Sequence, residues 1–191
     1  MKTLILASSS PRRQQLLKQV NIPFQVRIPN VDESAILATD PVEKVKQLAM
    51  MKAKHVPFHN ENEVILAADT VVAFERTIFE KPKDKKEAYQ MIAALSGNAH
   101  DVYTGVMIRS QDDERIFVER TQVVFWPLTQ EEIEWYISTS DPYDKAGAYG
   151  IQSLGSMFVK EIAGDYYNVV GLPISRVVRE LRDFSIYPNI S

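Results

Sequence analysis

The chain has 191 residues, 45% hydrophobic and 25% charged, with 22 Lys plus Arg against 25 Asp plus Glu for a net charge of −3. Those proportions exclude a disordered chain, and the mild acidity excludes duplex nucleic-acid binding through bulk charge, which needs a basic face. The absence of cysteine excludes disulfides, thiolate catalysis and zinc–thiolate sites.

Met1-Lys2 leads into a short apolar run, Thr3 to Ala7, which reads as a strand rather than a signal peptide. No apolar run approaches the ~20 residues of a membrane span, so no membrane association is expected and the cytoplasm is the expected compartment. Ser8-Ser9-Ser10 follows, and Pro11 opens a helical pattern with Leu16, Leu17 and Val20. Phe24 to Ile28 reads as a second strand and Pro29 to Thr39 as loop. Asp40-Pro41-Val42-Glu43 has Asp at the N-cap, Pro at the first helical position and Glu three residues after the cap. Asp84 with Glu87 and Thr129 with Glu132 repeat that spacing. Helices are therefore predicted over 43–56, 85–95 and 130–138, the second stopped by Gly97.

Strands fill the intervals. Val64 to Ala73 is almost entirely apolar, as a strand buried on both faces would be. Glu75-Arg76 turns it into Thr77 to Phe79. Asp101 to Arg109 and Ile116 to Trp126 form a hairpin across the polar Gln111 to Glu114. Met157 to Ile162 is a further strand and Pro173 to Arg182 a terminal helix. Interleaved strands and helices with antiparallel hairpins give an α/β class with a mixed sheet, in one domain over 1–191 without a linker.

Three places break the local rules. The helix from Pro11 carries Arg12 and Arg13 in its first turn, where the helix dipole disfavours cations. An anion there would reverse the sign, since free N–H groups, serine hydroxyls and two guanidinium groups would converge on it. A serine N-cap followed by solvated arginines is the alternative. Asp69 stands in the apolar run Val64 to Ala73, so its carboxylate must be paired, protonated or metal-bound. At a strand end it would face the crevice where α/β sheets bind ligands, or it would bond a neighbouring loop. Lys52 falls on the apolar stripe Val45, Leu48, Ala49, Ala53, Val56, either as a site residue or with its ammonium snorkelling to water.

Asp32-Glu33 is an acidic pair in a loop, and Lys81-Pro82 follows the small hairpin. Asp144-Lys145-Ala-Gly-Ala-Tyr149-Gly-Ile-Gln152 combines glycines with polar side chains, which suits close backbone approach to a ligand. His55, His59 and His100 lack metal-ligand spacing, and neither a Walker loop nor a Gly-x-Ser-x-Gly elbow occurs. Carboxylates, lysines and arginines without a covalent nucleophile suit a phosphate-rich substrate with Mg²⁺ between it and the acids.

Leu6-Ala-Ser-Ser-Ser-Pro-Arg-Arg13, Ala68-Asp69-Thr70, Lys81-Pro82 and Asp144 to Gln152 together resemble the Maf family, in order along nearly the whole chain. The resemblance implies a mixed twisted sheet in two lobes with a central nucleotide cleft, as in the inosine triphosphatase (Ham1) fold. It implies hydrolysis of a nucleoside triphosphate to the monophosphate and pyrophosphate, with a divalent cation, Mg²⁺ or Mn²⁺. It also implies a link to septum formation, and family members are often homodimers. By position, Ser8, Ser10 and Arg13 match the phosphate-binding loop and Asp69 the proton acceptor. Glu33, Lys52 and Lys81 match polar residues of the cleft, with Glu33 and Asp69 as the metal carboxylates and Asp32 an open alternative. Arg12, Thr70 and Gln152 match positions associated with base choice. In a sister subclass acting on 7-methyl-GTP these are an aromatic, Gln and Glu, so the match is to the dTTP and UTP subclass. The competing expectation is a nucleotide-sensing regulator of cell division that does not catalyse.

Overall fold

The computed structural model describes residues 1–190. Its sheet has seven strands, β1 (Thr3–Leu6), β2 (Phe24–Val26), β3 (Glu63–Phe74), β4 (Thr77–Phe79), β5 (Ala99–Arg109), β6 (Glu114–Phe125) and β7 (Val159–Ala163), in the order β2-β1-β3-β5-β6-β7 with β4 paired to β3. The chain divides into two compact units. The first comprises Met1–Asp69, Thr104–Glu119 and Gly171–Ser191; the second comprises Thr70–Tyr103 and Arg120–Val170. Among the described residues no helix is long and apolar enough to cross a membrane.

In the first unit, β1 (Thr3–Leu6) pairs in parallel with β2 (Phe24–Val26), Leu4 opposite Phe24, and with β3 (Glu63–Phe74), Leu4 opposite Val64. Helix α1 (Pro11–Gln19) makes the crossover from β1 to β2, and α2 (Pro41–Lys54) the crossover from β2 to β3. The Asp40 side chain accepts from the Glu43 N–H at 2.9 Å, which fixes the start of α2. Ala49, Ala53 and Val56 pack on Ile5, Ile65 and Met107. The helix lies so close to β5 (Ala99–Arg109) that a Cβ on Gly105 would stand 2.4 Å from the Val45 carbonyl oxygen. Only glycine admits that approach.

In the second unit, β3 turns at Glu75 into β4 (Thr77–Phe79), with Val72 opposite Phe79. Helix α3 (Lys85–Leu95) is capped by Asp84 and followed by Gly97 at φ 69°, the stop expected from the sequence. Helix α4 (Gln130–Ile137) has the full reciprocal box between Thr129 and Glu132. Strands β6 (Glu114–Phe125) and β7 (Val159–Ala163) pair antiparallel, with an irregularity between Val124 and Phe125. The core here is aromatic: Phe125 meets Tyr149 edge-on at 4.7 Å, and Tyr136 meets Phe158 at 4.8 Å.

The α/β class and mixed sheet are as expected; some details differ. Residues Leu154–Phe158 wind as a 3₁₀ turn, so β7 begins at Val159 rather than Met157. A hydrogen bond from the Trp126 N–H to the Phe158 carbonyl, 2.9 Å, ends that turn. Helix α5 (Tyr166–Val170) lies where no helix was expected, because its Tyr-Tyr-Asn-Val-Val sequence has little helix propensity. Tertiary bonds hold it, as the buried Asn168 amide donates to the Val102 carbonyl and the Thr121 hydroxyl. It precedes α6 (Ile174–Asp183).

Candidate active site

Asp69 lies beyond the last pairing of β1 with β3, where Ala7 donates to the Leu66 carbonyl at 2.8 Å. From there the chain leaves the sheet as Ser8-Ser9-Ser10 and enters α1. The parallel pair ends there even though β3 continues, and the end of a parallel pairing is where α/β sheets bind ligands.

The Ser8 side chain is buried, and its hydroxyl oxygen accepts from the Ser10 N–H at 3.2 Å and from Arg13 at 3.3 Å. Arg13 Nε donates to the Gly171 carbonyl at 2.7 Å. Ser10 stands at the N-cap without a side-chain cap bond, and no acidic residue lies in the first turn of α1. A serine cap with solvated arginines therefore does not describe this helix start. Burial pushes the Arg13 guanidinium down from its ordinary value while the Asp69 charge pulls it back up. A guanidinium stays charged under such pressure. Arg12 is half-buried beside it.

Lys52 does not snorkel. It donates to Asp69 through a short hydrogen bond, and its ammonium also meets Glu33 Oε1 at 3.0 Å. Glu33 opens a 3₁₀ turn, Glu33–Ala35, whose cap is Asp32. The Asp32 carboxylate is engaged by the Ser34 N–H at 3.0 Å and hydroxyl at 2.6 Å, which hold it below its ordinary range. Of the two neighbouring acids, Glu33 is thus the one that reaches Lys52. Burial pushes the Asp69 carboxyl up, against the opposing pull of Lys52 and Arg13. A carboxyl raised in this way, but still held by a cation, is suited to taking a proton.

The first unit thus gathers Ser8, Arg13, Glu33, Lys52 and Asp69. The second carries the others. Thr70 follows Asp69 on β3 and is half-buried; Lys81 is exposed just after β4; Gln152 is exposed in a turn between Gly150 and Ser153. The Gly147 N–H donates to the Glu80 carbonyl at 3.2 Å, which sets the Gln152-bearing segment beside the one carrying Lys81.

All of these positions lie within residues 3–184, which match the Maf-like protein family. The chain belongs to that family. A Bacillus anthracis protein named dTTP/UTP pyrophosphatase is 50% identical over 186 residues, 97% of either chain. One of the same name from Bacillus cytotoxicus is 50% identical over 184 residues, 96% of either chain. A HAM1 protein from Coxiella burnetii matches in structure with a TM-score of 0.55, over 96% of this chain and 100% of that one. At 13% identity, that likeness concerns the fold alone.

Among its described residues, this Maf-like chain gathers no group of three or more potential metal-binding side chains. Glu33 and Asp69 nevertheless converge on one cation, the Lys52 ammonium. Two carboxylates fit a hard divalent ion that takes its other ligands from phosphate oxygens and water, as Mg²⁺ does.

Sequence reading missed one polar centre. Asp141, on the 3₁₀ turn Asp141–Asp144, accepts from the hydroxyls of Tyr136 and Ser153, each at 2.9 Å. Its only sequence signal is Ser140-Asp141-Pro142, which reads as an ordinary turn opening. The glycines of Asp144 to Gln152 also serve the chain itself before any ligand. A Cβ on Gly147, at φ 69°, would meet Val72 at 2.7 Å.

Proposed function

We propose that this Maf-like protein hydrolyses dTTP and UTP to the monophosphate and pyrophosphate. The observation that carries the reading is the buried Asp69–Lys52 pair at the end of the β1–β3 pairing. The name shared by relatives half identical over nearly their whole length supports the substrate class. In this reading Asp69 accepts a proton from water as that water's oxygen attacks the α-phosphorus. The bond from the α-phosphorus to the α,β-bridging oxygen breaks, and pyrophosphate leaves with the electron pair. Asp69 then sheds that proton to solvent, and the Lys52 ammonium favours the ionised carboxylate that results. Ser8, Ser10, the N–H groups opening α1 and Arg13 hold phosphate oxygens, and Lys81 adds positive charge. A divalent cation held by Glu33 and Asp69 would supply charge neutralisation at the phosphates. Base choice is assigned to Arg12, Thr70 and Gln152, the positions that match the family's base-associated residues. The cytoplasm, where nucleoside triphosphates are met, is the matching location.

A sensor that regulates division without catalysis has no use for a raised carboxyl beside a lysine, which favours the enzyme. The test is a panel of nucleoside triphosphates with Mg²⁺, assayed separately for pyrophosphate and orthophosphate. Pyrophosphate from dTTP and UTP is the expected first product. Orthophosphate with a diphosphate co-product refutes the reaction, and binding without turnover returns the sensor.

A further inference from the structure

We infer that Asp141 is a positioning residue that fixes how Gln152 presents its amide, and so sets base selectivity without touching the substrate. The inference rests on the reading of Gln152 as a base-facing residue. Among the described residues the exposed Gln152 amide takes no hydrogen-bond partner, so it is available to a ligand. The residues around it are held firmly. Ser153, its neighbour, donates its hydroxyl to Asp141 Oδ2 at 2.9 Å, and the Gly155 N–H reaches the same oxygen at 3.4 Å. The Tyr136 hydroxyl lies 2.9 Å from Asp141 Oδ2 and 2.9 Å from the Ala148 carbonyl, which ties the start of the segment to the same centre. Lys145 Nζ meets Asp141 Oδ1 at 3.3 Å and the Asp141 carbonyl at 2.6 Å. The turn closes so tightly over this lysine that a Cβ on Gly150 would stand 2.6 Å from Lys145 Cε.

A carboxylate whose side chain is 12% exposed is a costly way to fill space. Burial pushes Asp141 up, but the Ser153 and Tyr136 hydroxyls and the Lys145 charge outweigh it, leaving the carboxyl below its ordinary range. The group is therefore ionised across the working pH range and accepts from four donors at once. Three of those donors, Lys145, Ser153 and Gly155, belong to the segment on both sides of Gln152, and the fourth, Tyr136, meets that segment at the Ala148 carbonyl. Reading a base by hydrogen bonds requires the amide to be placed within a fraction of an ångström, and small displacements are expensive.

The test uses Asp141→Asn, Ser153→Ala and Ser153→Thr in the full chain. UTP and CTP are compared because they differ only at the pyrimidine edge. In the wild-type protein UTP should be preferred. Asp141→Asn should lower kcat/KM for UTP about tenfold, chiefly through KM, and for CTP by less than about threefold. Ser153→Ala should shift selectivity the same way by less, and Ser153→Thr, which keeps the hydroxyl, should restore it. A purely structural role would lower both substrates alike together with the thermal midpoint. Equal fractional losses, or unchanged selectivity in Ser153→Ala, overturn the inference. Should Asp141→Asn fail to fold, the serine pair decides. A wild-type protein that releases no pyrophosphate from any triphosphate overturns the proposed function instead. One that hydrolyses UTP and CTP equally overturns the role of Gln152 and this inference with it.

Discussion

Lys52→Met tests the centre of the proposed site, because it keeps an unbranched apolar stem on α2 and removes the ammonium. Asp69 and Lys52 each have side chains 12% exposed, so their pairing is little screened by solvent. Unit charges about 4 Å apart at an effective dielectric of about 20 attract by about 4 kcal/mol, and breaking a buried pair by removing one member costs about 3–5 kcal/mol. Asp69 would keep the more distant field of Arg13 and the repulsion of Glu33. At about 3 kcal/mol, and about 2–4 °C per kcal/mol for a chain of this size, the thermal midpoint should fall by about 6–12 °C.

That loss must depend on pH. Burial already raises the Asp69 carboxyl, so the folded chain holds a proton that the unfolded chain has given up. Stability from this group is therefore present at low pH and falls as pH rises from the unfolded value, about 3.9, through the raised folded one. Removing Lys52 raises the folded value further and extends that window upward. The fall in midpoint should be large at pH 8 and small at pH 5. Only ionised Asp69 accepts a proton, so the acid limb of kcat/KM should move to higher pH as well. An equal loss of midpoint at both pH values, with an unmoved acid limb, would refute the coupling of Lys52 to Asp69.

Asp69→Asn should lower kcat by at least ~10²-fold while the fold is retained, checked by circular dichroism and single-turnover assay; near-normal turnover would make Asp69 structural. Arg13→Ala should weaken all triphosphates alike in KM, because phosphates carry no base identity, and a loss confined to one base would move it to the base-facing group. Gln152→Glu should selectively lower kcat/KM for dTTP and UTP relative to 7-methyl-GTP, because a carboxylate faces the pyrimidine carbonyls with acceptors only, whereas the two donors of a guanine edge suit it. Equal fractional losses on UTP and 7-methyl-GTP would show that Gln152 does not read the base.

The sequence showed which side chains were out of place, but not where their partners were. Asp69 in an apolar run, Lys52 on an apolar stripe and two arginines opening a helix each violate a local rule, and local rules need only neighbouring residues. Lys52 meets Asp69 from 17 positions away and Arg13 reaches a carbonyl 158 positions away, and no periodicity encodes such pairings. The same limit hid α5, whose Asn168 bonds across 66 positions, and the start of β7, where the apolar Met157 and Phe158 look like strand but turn. Asp141 was hidden for the opposite reason. It breaks no local rule, since an aspartate before proline is what a turn wants, and its second task shows only once Tyr136, Lys145 and Ser153 are folded around it.

The distribution of these residues gives the proposed chemistry a division that kinetics can read. In the proposed reading Arg13, Lys52, Glu33 and Asp69 of the first unit, with Lys81 of the second, act through charge, and a phosphate chain looks the same to them whatever base follows it. In the same reading Thr70, Gln152 and the Asp141 centre of the second unit, with Arg12 of the first, would act through directed hydrogen bonds. Fields fall off gradually with distance, whereas a hydrogen bond weakens steeply with angle. Damage to the charged set should therefore lower turnover of every triphosphate by a common factor. Damage around Gln152 should leave the common factor and change the ratios between bases. A double variant with one change in each set, such as Arg13→Ala with Ser153→Ala, should then show effects on kcat/KM that multiply, as independently acting sites do. Strong non-additivity would mean that base and phosphate are not read independently, and that Asp141 acts on the chemistry as well as on the choice of base.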